Sequence, residues 1–172
     1  SLKKLKLLKE YEKLAISYDK KIKKTLLTSY SENYDKISLI NSNGYSNKSE
    51  STLYSFGVSL LFGEKNDIQI GSDFSLKRDF YDINAENVIQ KACFRGKSLL
   101  ESKKIVSKKT KAIFPPLVPV EFLGVIANCL SAERIFKKQS FFTNKRETKV
   151  TKSNLVLIDV ATIKKGIGSY YF

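Results

Sequence analysis

The chain has 172 residues with no histidine, no methionine and no tryptophan, and its 31 basic against 17 acidic residues leave a formal net charge of +14. Its 42% hydrophobic content is ample for a packed core. Without histidine, this polypeptide alone cannot build a Ser-His-Asp triad, a Cys-His pair or a His-Glu-x-x-His zinc site.

Residues 2–16 place Leu5, Leu8, Tyr11 and Ala15 at spacings of three and four with lysines between them, which predicts an amphipathic helix. Because lysines interrupt its apolar residues throughout, this segment reads as an amphipathic helix rather than as the opening of a signal peptide. A charged connection, 20–24, leads to a β segment at 24–30 and a short strand at 37–40. Asn41-Ser42-Asn43-Gly44 is a turn signal, and residues 52–62 alternate apolar and polar side chains as a half-buried strand does. A second turn at 63–66 returns the chain into a strand over 67–72.

Asp82 to Asn87 open a helix predicted to run to about Ser102, with an Asp or Asn cap and Glu86 in its first turn. A charged loop follows at 103–109, then a strand at 110–114 that Pro115-Pro116 stops. Pro119 and Glu121 begin another helix. Residues 120–135 are apolar nearly all round, which predicts deep burial, and 155–158 read as a central strand. The grouping of strands and helices without β-α-β units predicts an α+β domain with antiparallel sheet and packed helices. Residues 1–19 are expected as a helix packed on a main domain over 20–172.

Two cysteines, Cys93 and Cys129, lie in apolar surroundings and read as buried free thiols of a reducing cytosol, a disulfide being the other reading. No apolar run approaches the roughly 20 residues that span a bilayer, so no membrane helix is expected. The charge invites nucleic acid, yet only four basic residues are arginine (Arg78, Arg95, Arg134, Arg146), the type favoured for base-edge and bidentate phosphate contacts. Lysines occur along nearly the whole chain, as on a solvated basic surface.

Several segments in order carry a family resemblance: Ile40-Asn41-Ser42-Asn43-Gly44-Tyr45-Ser46, the strand at 53–62, the helix from Asp82 to Leu100, Pro115-Pro116-Leu117-Val118-Pro119 with its helix, Ser131 to Phe141, and Gly166-Ile167-Gly168-Ser169-Tyr170-Tyr171-Phe172. Over roughly residues 20–172 the chain resembles the PmbA branch of the TldD/PmbA proteins. That resemblance implies a cytoplasmic bacterial metallopeptidase assembly acting on peptides, with a label as a modulator of DNA gyrase. In it a TldD subunit carries a His-Glu-x-x-x-His zinc motif and the PmbA subunit, also called TldE, does not. Carried over by its neighbours, the motif falls on Leu123 to Asn128: leucine for the first histidine, Gly124 for the glutamate, Asn128 for the second histidine. None of these replaces what it stands for.

The implied metal site in this chain is therefore none, zinc being expected only in a TldD-type partner. The implied partners are such a subunit, or a second copy in a dimer, and a peptide substrate. Gly166, Gly168 and Ser169 carry two readings, a tight turn needing glycine dihedrals and a substrate-binding turn beside a peptide groove. The resemblance also implies that the family's β-rich C-terminal domain lies beyond Phe172. Two other functions stand beside the non-catalytic subunit. One is a hydrolase using Cys129 beside Asn128, or carboxylates among Asp73, Asp79, Asp82, Glu121, Glu133 and Asp159. The other is a basic nucleic-acid module stacking bases on Tyr30, Tyr34, Tyr45 and Tyr54.

Overall fold

The structure is a computed structural model that describes residues 2–64, 66–151 and 156–169. The chain divides into two compact units, one of residues 1–104 with 159–172 and one of residues 105–158.

The first unit is an antiparallel three-stranded sheet in the order β1-β2-β3 with two helices, an α+β fold as expected. Helix α1 (Leu2–Ser17) precedes β1 (Ile22–Ile40), β2 (Ser46–Glu64) and β3 (Asp67–Lys77); a 3-10 helix (Phe80–Asp82) then leads to α2 (Ala85–Leu99). The core is built on one face of β2, where Phe56, Val58, Leu60 and Phe62 are buried at every second position as the pleat requires. Against them lie Ala85, Val88, Ile89, Ala92 and Cys93 of α2, and Ala15 of α1. Helix α1 contributes Leu8 and Tyr11 to the same cluster, with Tyr11 edge-on to Phe56 at 5.2 Å between ring centroids.

Helix α2 approaches the sheet closely through two glycines. A Cβ on Gly71 of β3 would lie 2.1 Å from the Ala92 carbonyl oxygen, and one on Gly96 of α2 would lie 2.3 Å from the Phe62 ring. The cap of α2 is Asn84, whose side chain accepts from the Asn87 amide at 2.9 Å, so the helix begins after the 3-10 turn at Phe80–Asp82. It stops at Leu99, short of Ser102; Glu101 turns into the left-handed region and donates its amide to Asp67 at 2.6 Å.

Strand β1 is one 19-residue strand where the sequence reading gave two short ones. Its polar middle still pairs residue for residue with β2, Glu32 opposite Tyr54 and Lys36 opposite Glu50. Ladder bonds do not require apolar side chains; alternation reports burial, and this stretch is exposed. Because β3 covers β2 only from Tyr54 to Glu64, residues 33–40 and 46–53 extend beyond it as a two-stranded ribbon. Its turn is the one foreseen at Asn41: the side chain accepts from the amides of Asn43 and Tyr45 at 3.0 and 3.1 Å, and Gly44 takes φ +82°.

The second unit holds α3 (Val118–Leu130) and α4 (Ala132–Phe136). Residues 110–114 form no strand, nor do 156–158, while Leu155 lies outside the described residues. Deep burial of 120–135 is also overturned: no residue of either helix is buried, and Val125 is 61% exposed. Apolarity all round a helix states a demand for cover, and a 13-residue helix packed on a 5-residue one leaves most of that demand unmet. Among the described residues no helix is long and apolar enough to cross a membrane.

Candidate functional site

Helix α3 starts where Pro115 accepts the Val118 amide at 3.0 Å, with Pro119 at a position that needs no amide and Glu121 in the first turn. Leu123, Gly124 and Asn128 all lie exposed along it. A side chain at Gly124 would meet nothing within 4 Å. Leucine has no donor atom, glycine no side chain and asparagine only a neutral amide, so the three residues do not fit zinc. Among the described residues no group of three or more His, Cys, Asp or Glu is placed to hold a metal ion.

Beside α3 runs a groove of about 1110 Å³, with Ile126, Leu130, Ile135, Phe141 and Phe142 along it and Lys145, Arg146 and Lys149 among its other lining residues. Ile126 and Leu130 stand one helical turn apart and so share a face. Asn128 is not among the lining residues. Ser140 ties the segment after α4 to the helix, donating to the Cys129 carbonyl and accepting from the Phe142 amide at 3.0 Å.

The Gly166 to Ser169 turn belongs to the first unit, where Arg78 at the end of β3 holds it. The Arg78 guanidinium donates to the Gly166 carbonyl at 3.2 Å, to that of Ile167, and to that of Ser169 at 3.5 Å. It also donates to the Thr52 carbonyl at 3.2 Å, and the Thr52 hydroxyl donates back to the Arg78 carbonyl at 2.6 Å. Lys165 adds an ion pair to Asp82 at 3.1 Å. Neither Gly166 nor Gly168 has positive φ, so glycine dihedrals do not explain them. Space explains Gly166, whose Cβ would lie 2.3 Å from Ser169 Oγ, whereas Gly168 is open. Ser169 is buried; Tyr170, Tyr171 and Phe172 lie outside the described residues.

Of the carboxylates considered from sequence, Asp79 and Asp82 meet at the Lys165 ammonium, at 4.0 and 3.1 Å, and the others are engaged separately or exposed. Asp73 pairs with Arg95, Asp79 caps the 3-10 helix through the Tyr81 amide, Asp82 meets Lys165 and Glu133 meets Lys137. Glu121 and Asp159 are exposed. Cys93 and Cys129 are both free thiols, the first buried and the second half-buried. Tyr30 and Tyr54 are not free stacking platforms, since both meet Phe80 edge-on at 5.9 and 6.1 Å; Tyr34 and Tyr45 are exposed on the ribbon. Sequence reasoning names Arg78 only as one of four arginines and gives it no place in the site. The available signal was its rarity, one of four arginines in a lysine-rich chain.

A family model described as the PmbA/TldA metallopeptidase central domain matches residues 1–100, more than half the chain. The chain belongs to the PmbA/TldA metallopeptidase family. A second model, described as the PmbA/TldA metallopeptidase C-terminal domain, matches residues 107–172. Within the family it is of the PmbA/TldE type. It is 33% identical over 122 residues to a metalloprotease PmbA homolog of Buchnera aphidicola subsp. Baizongia pistaciae, covering 70% of this chain and 27% of that protein. A PmbA homolog from the Acyrthosiphon pisum subspecies is 29% identical over 133 residues, covering 77% and 30%. The chain thus spans less than a third of the curated relatives it matches. The crystal structure of a gyrase-modulator candidate from Bacteroides thetaiotaomicron superposes with TM-score 0.85 at 25% identity, covering 99% of this chain and 39% of that one. TldE from Thermococcus kodakarensis shares the fold at TM-score 0.58 and 16% identity, covering 79% and 31%.

Proposed function

We propose that the chain is part of a PmbA/TldE-type subunit of a cytoplasmic metallopeptidase complex, which helps to hold peptides for a TldD-type subunit that carries the zinc. Membership of the family supports the metallopeptidase side of this reading. The observation that carries the non-catalytic side is the donor set on α3: Leu123, Gly124 and Asn128 stand where the motif falls, and no histidine exists in the sequence to replace them. The zinc, when bound in the partner, supplies activated water for attack on a peptide carbonyl. This chain would contribute surface and position, with the turn at Gly166, Gly168 and Ser169 on the substrate side and either a TldD-like subunit or a second copy as its partner.

The test is metal analysis and peptide cleavage, run on the isolated chain and on the complex copurified from source cells. Zinc and turnover are expected only in preparations containing the TldD-type subunit. Stoichiometric zinc in the isolated chain, lost on Glu121→Ala with Asn128→Ala, would overturn the proposal.

The net charge of +14 and the gyrase-modulator description of a structural neighbour favour a second reading, a basic regulatory protein associated with nucleic acid. Against it, Arg78 and Arg95 are engaged inside the fold and leave few arginines for base edges. Binding to duplex DNA that vanishes between low and physiological salt would reduce this reading to counterion release.

A further inference from the structure

A cavity of about 230 Å³ opens between α1, the sheet and the 3-10 helix, lined by Leu8, Tyr11, Tyr30, Phe56, Phe80 and Tyr81 among others. Its rings are steeply inclined to one another: Tyr11 to Phe56 at 65°, Tyr30 to Phe80 at 84°, Phe80 to Tyr81 at 75°. The walls therefore present both ring faces and ring edges, which is what an incoming ring needs for offset or edge-to-face contact. An apolar cavity of roughly 150 Å³ already admits benzene. The space here suits one phenyl or indole ring with a short substituent.

The polar rim decides the substituent. Glu32 has both oxygens occupied, one by Lys4 and the other by the Tyr30 hydroxyl at 2.9 Å. Lys4 sits 5.5 Å from the Tyr30 ring centre and uses one of its three N–H donors on Glu32. Partial burial, followed by the bond to Glu32, pushes the Tyr30 hydroxyl up to about 12, so it stays protonated and keeps donating to Glu32. The rim thus offers the remaining donors of the Lys4 ammonium, whose charge suits an anionic substituent. The long-range field of a +14 chain favours the same sign of guest.

We propose that this cavity binds an aromatic ring carrying a carboxylate, with the ring against Phe56 and Phe80 and the carboxylate on Lys4. A free aromatic acid and the C-terminal aromatic residue of a peptide share this chemistry. The lining residues all belong to the first unit, and the site does not depend on the functional reading above.

Because the chain has no tryptophan, an indole probe excited at the long-wavelength edge of its absorption, where the nine tyrosines do not absorb, can be followed by its own fluorescence. Titration of the full chain into N-acetyltryptophan should give a blue shift that saturates, with Kd on the order of 0.1 mM for a ligand of this size. N-acetyltryptophanamide should bind at least about tenfold more weakly, and Lys4→Gln should weaken the acid by a similar factor. Tyr81→Ala, at a side chain 90% exposed and so harmless to folding, should weaken acid and amide alike. A Gly-Gly-Trp tripeptide that binds as the acid does makes the source a peptide C-terminus; one that fails leaves the free acid. No spectral change up to millimolar chain, equal affinity for acid and amide, or binding indifferent to both variants would each overturn the proposal.

Discussion

Replacing Arg78 by alanine should release the segment around Gly166 to Ser169 while leaving the sheet and α2 folded. The side chain makes four hydrogen bonds to carbonyls, three of them in this turn, and all are lost together. A bond from a charged donor contributes about 1.5–3 kcal/mol, but these share one half-buried guanidinium and do not add, so about 2 kcal/mol for the clasp is a reasonable sum. Native-state hydrogen exchange reads this directly. The amides of Gly166 and Ser169, bonded to Ile163 and Gly166 carbonyls at 2.9 and 3.1 Å, should exchange about thirtyfold faster in the variant. Amides of β2 around Leu60 should not change. Lys in place of Arg78 keeps the charge but not the planar fork, and should lose most of the protection. Unchanged exchange at Gly166 and Ser169, or acceleration spread equally through β2, would refute the reasoning.

Gly96→Ala should cost about 3 kcal/mol in urea denaturation, because the new methyl is forced against the Phe62 ring in the core; Gly168→Ala, in open space, should lie within about 0.5 kcal/mol of wild type. Asp19 is held below its ordinary value of 3.8 by the hydrogen bond from Lys97 and then by the Lys21 amide. Its lowered folded value means that this contribution is complete above the unfolded value and disappears as pH falls through the folded one. Asp19→Asn should therefore flatten the fall in urea midpoint below pH 3.8. A thiol reagent should modify half-buried Cys129 before Cys93, whose thiol is raised by burial; mass spectrometry of the partly labelled native chain would show the order.

Local chemistry made the first unit legible. The alternation at 52–62 marked the face that became the core, the Leu5 to Ala15 spacing marked α1, and Asn41 to Gly44 marked the hairpin turn. The same signals misled wherever burial depended on distant chain. The polarity of residues 31–36 hides a ladder that does form, and the β-rich composition of 110–114 predicts a strand where no partner strand pairs with it. The aromatic cavity had no signature at all, since Leu8, Tyr30, Phe56 and Phe80 come from four separate segments.

The sequence by itself determined which chemistry is closed to this chain. Zinc ligation by imidazole needs histidine, and there is none at Leu123, at Asn128 or elsewhere. Tertiary structure alone decided how the closing turn is held. Arg78 and Gly166 are 88 residues apart, and a guanidinium fork selects its carbonyls only after β2 and β3 have paired and fixed where the arginine points. Periodicity reports what one segment needs; which distant group meets that need is set by the packing of the whole unit.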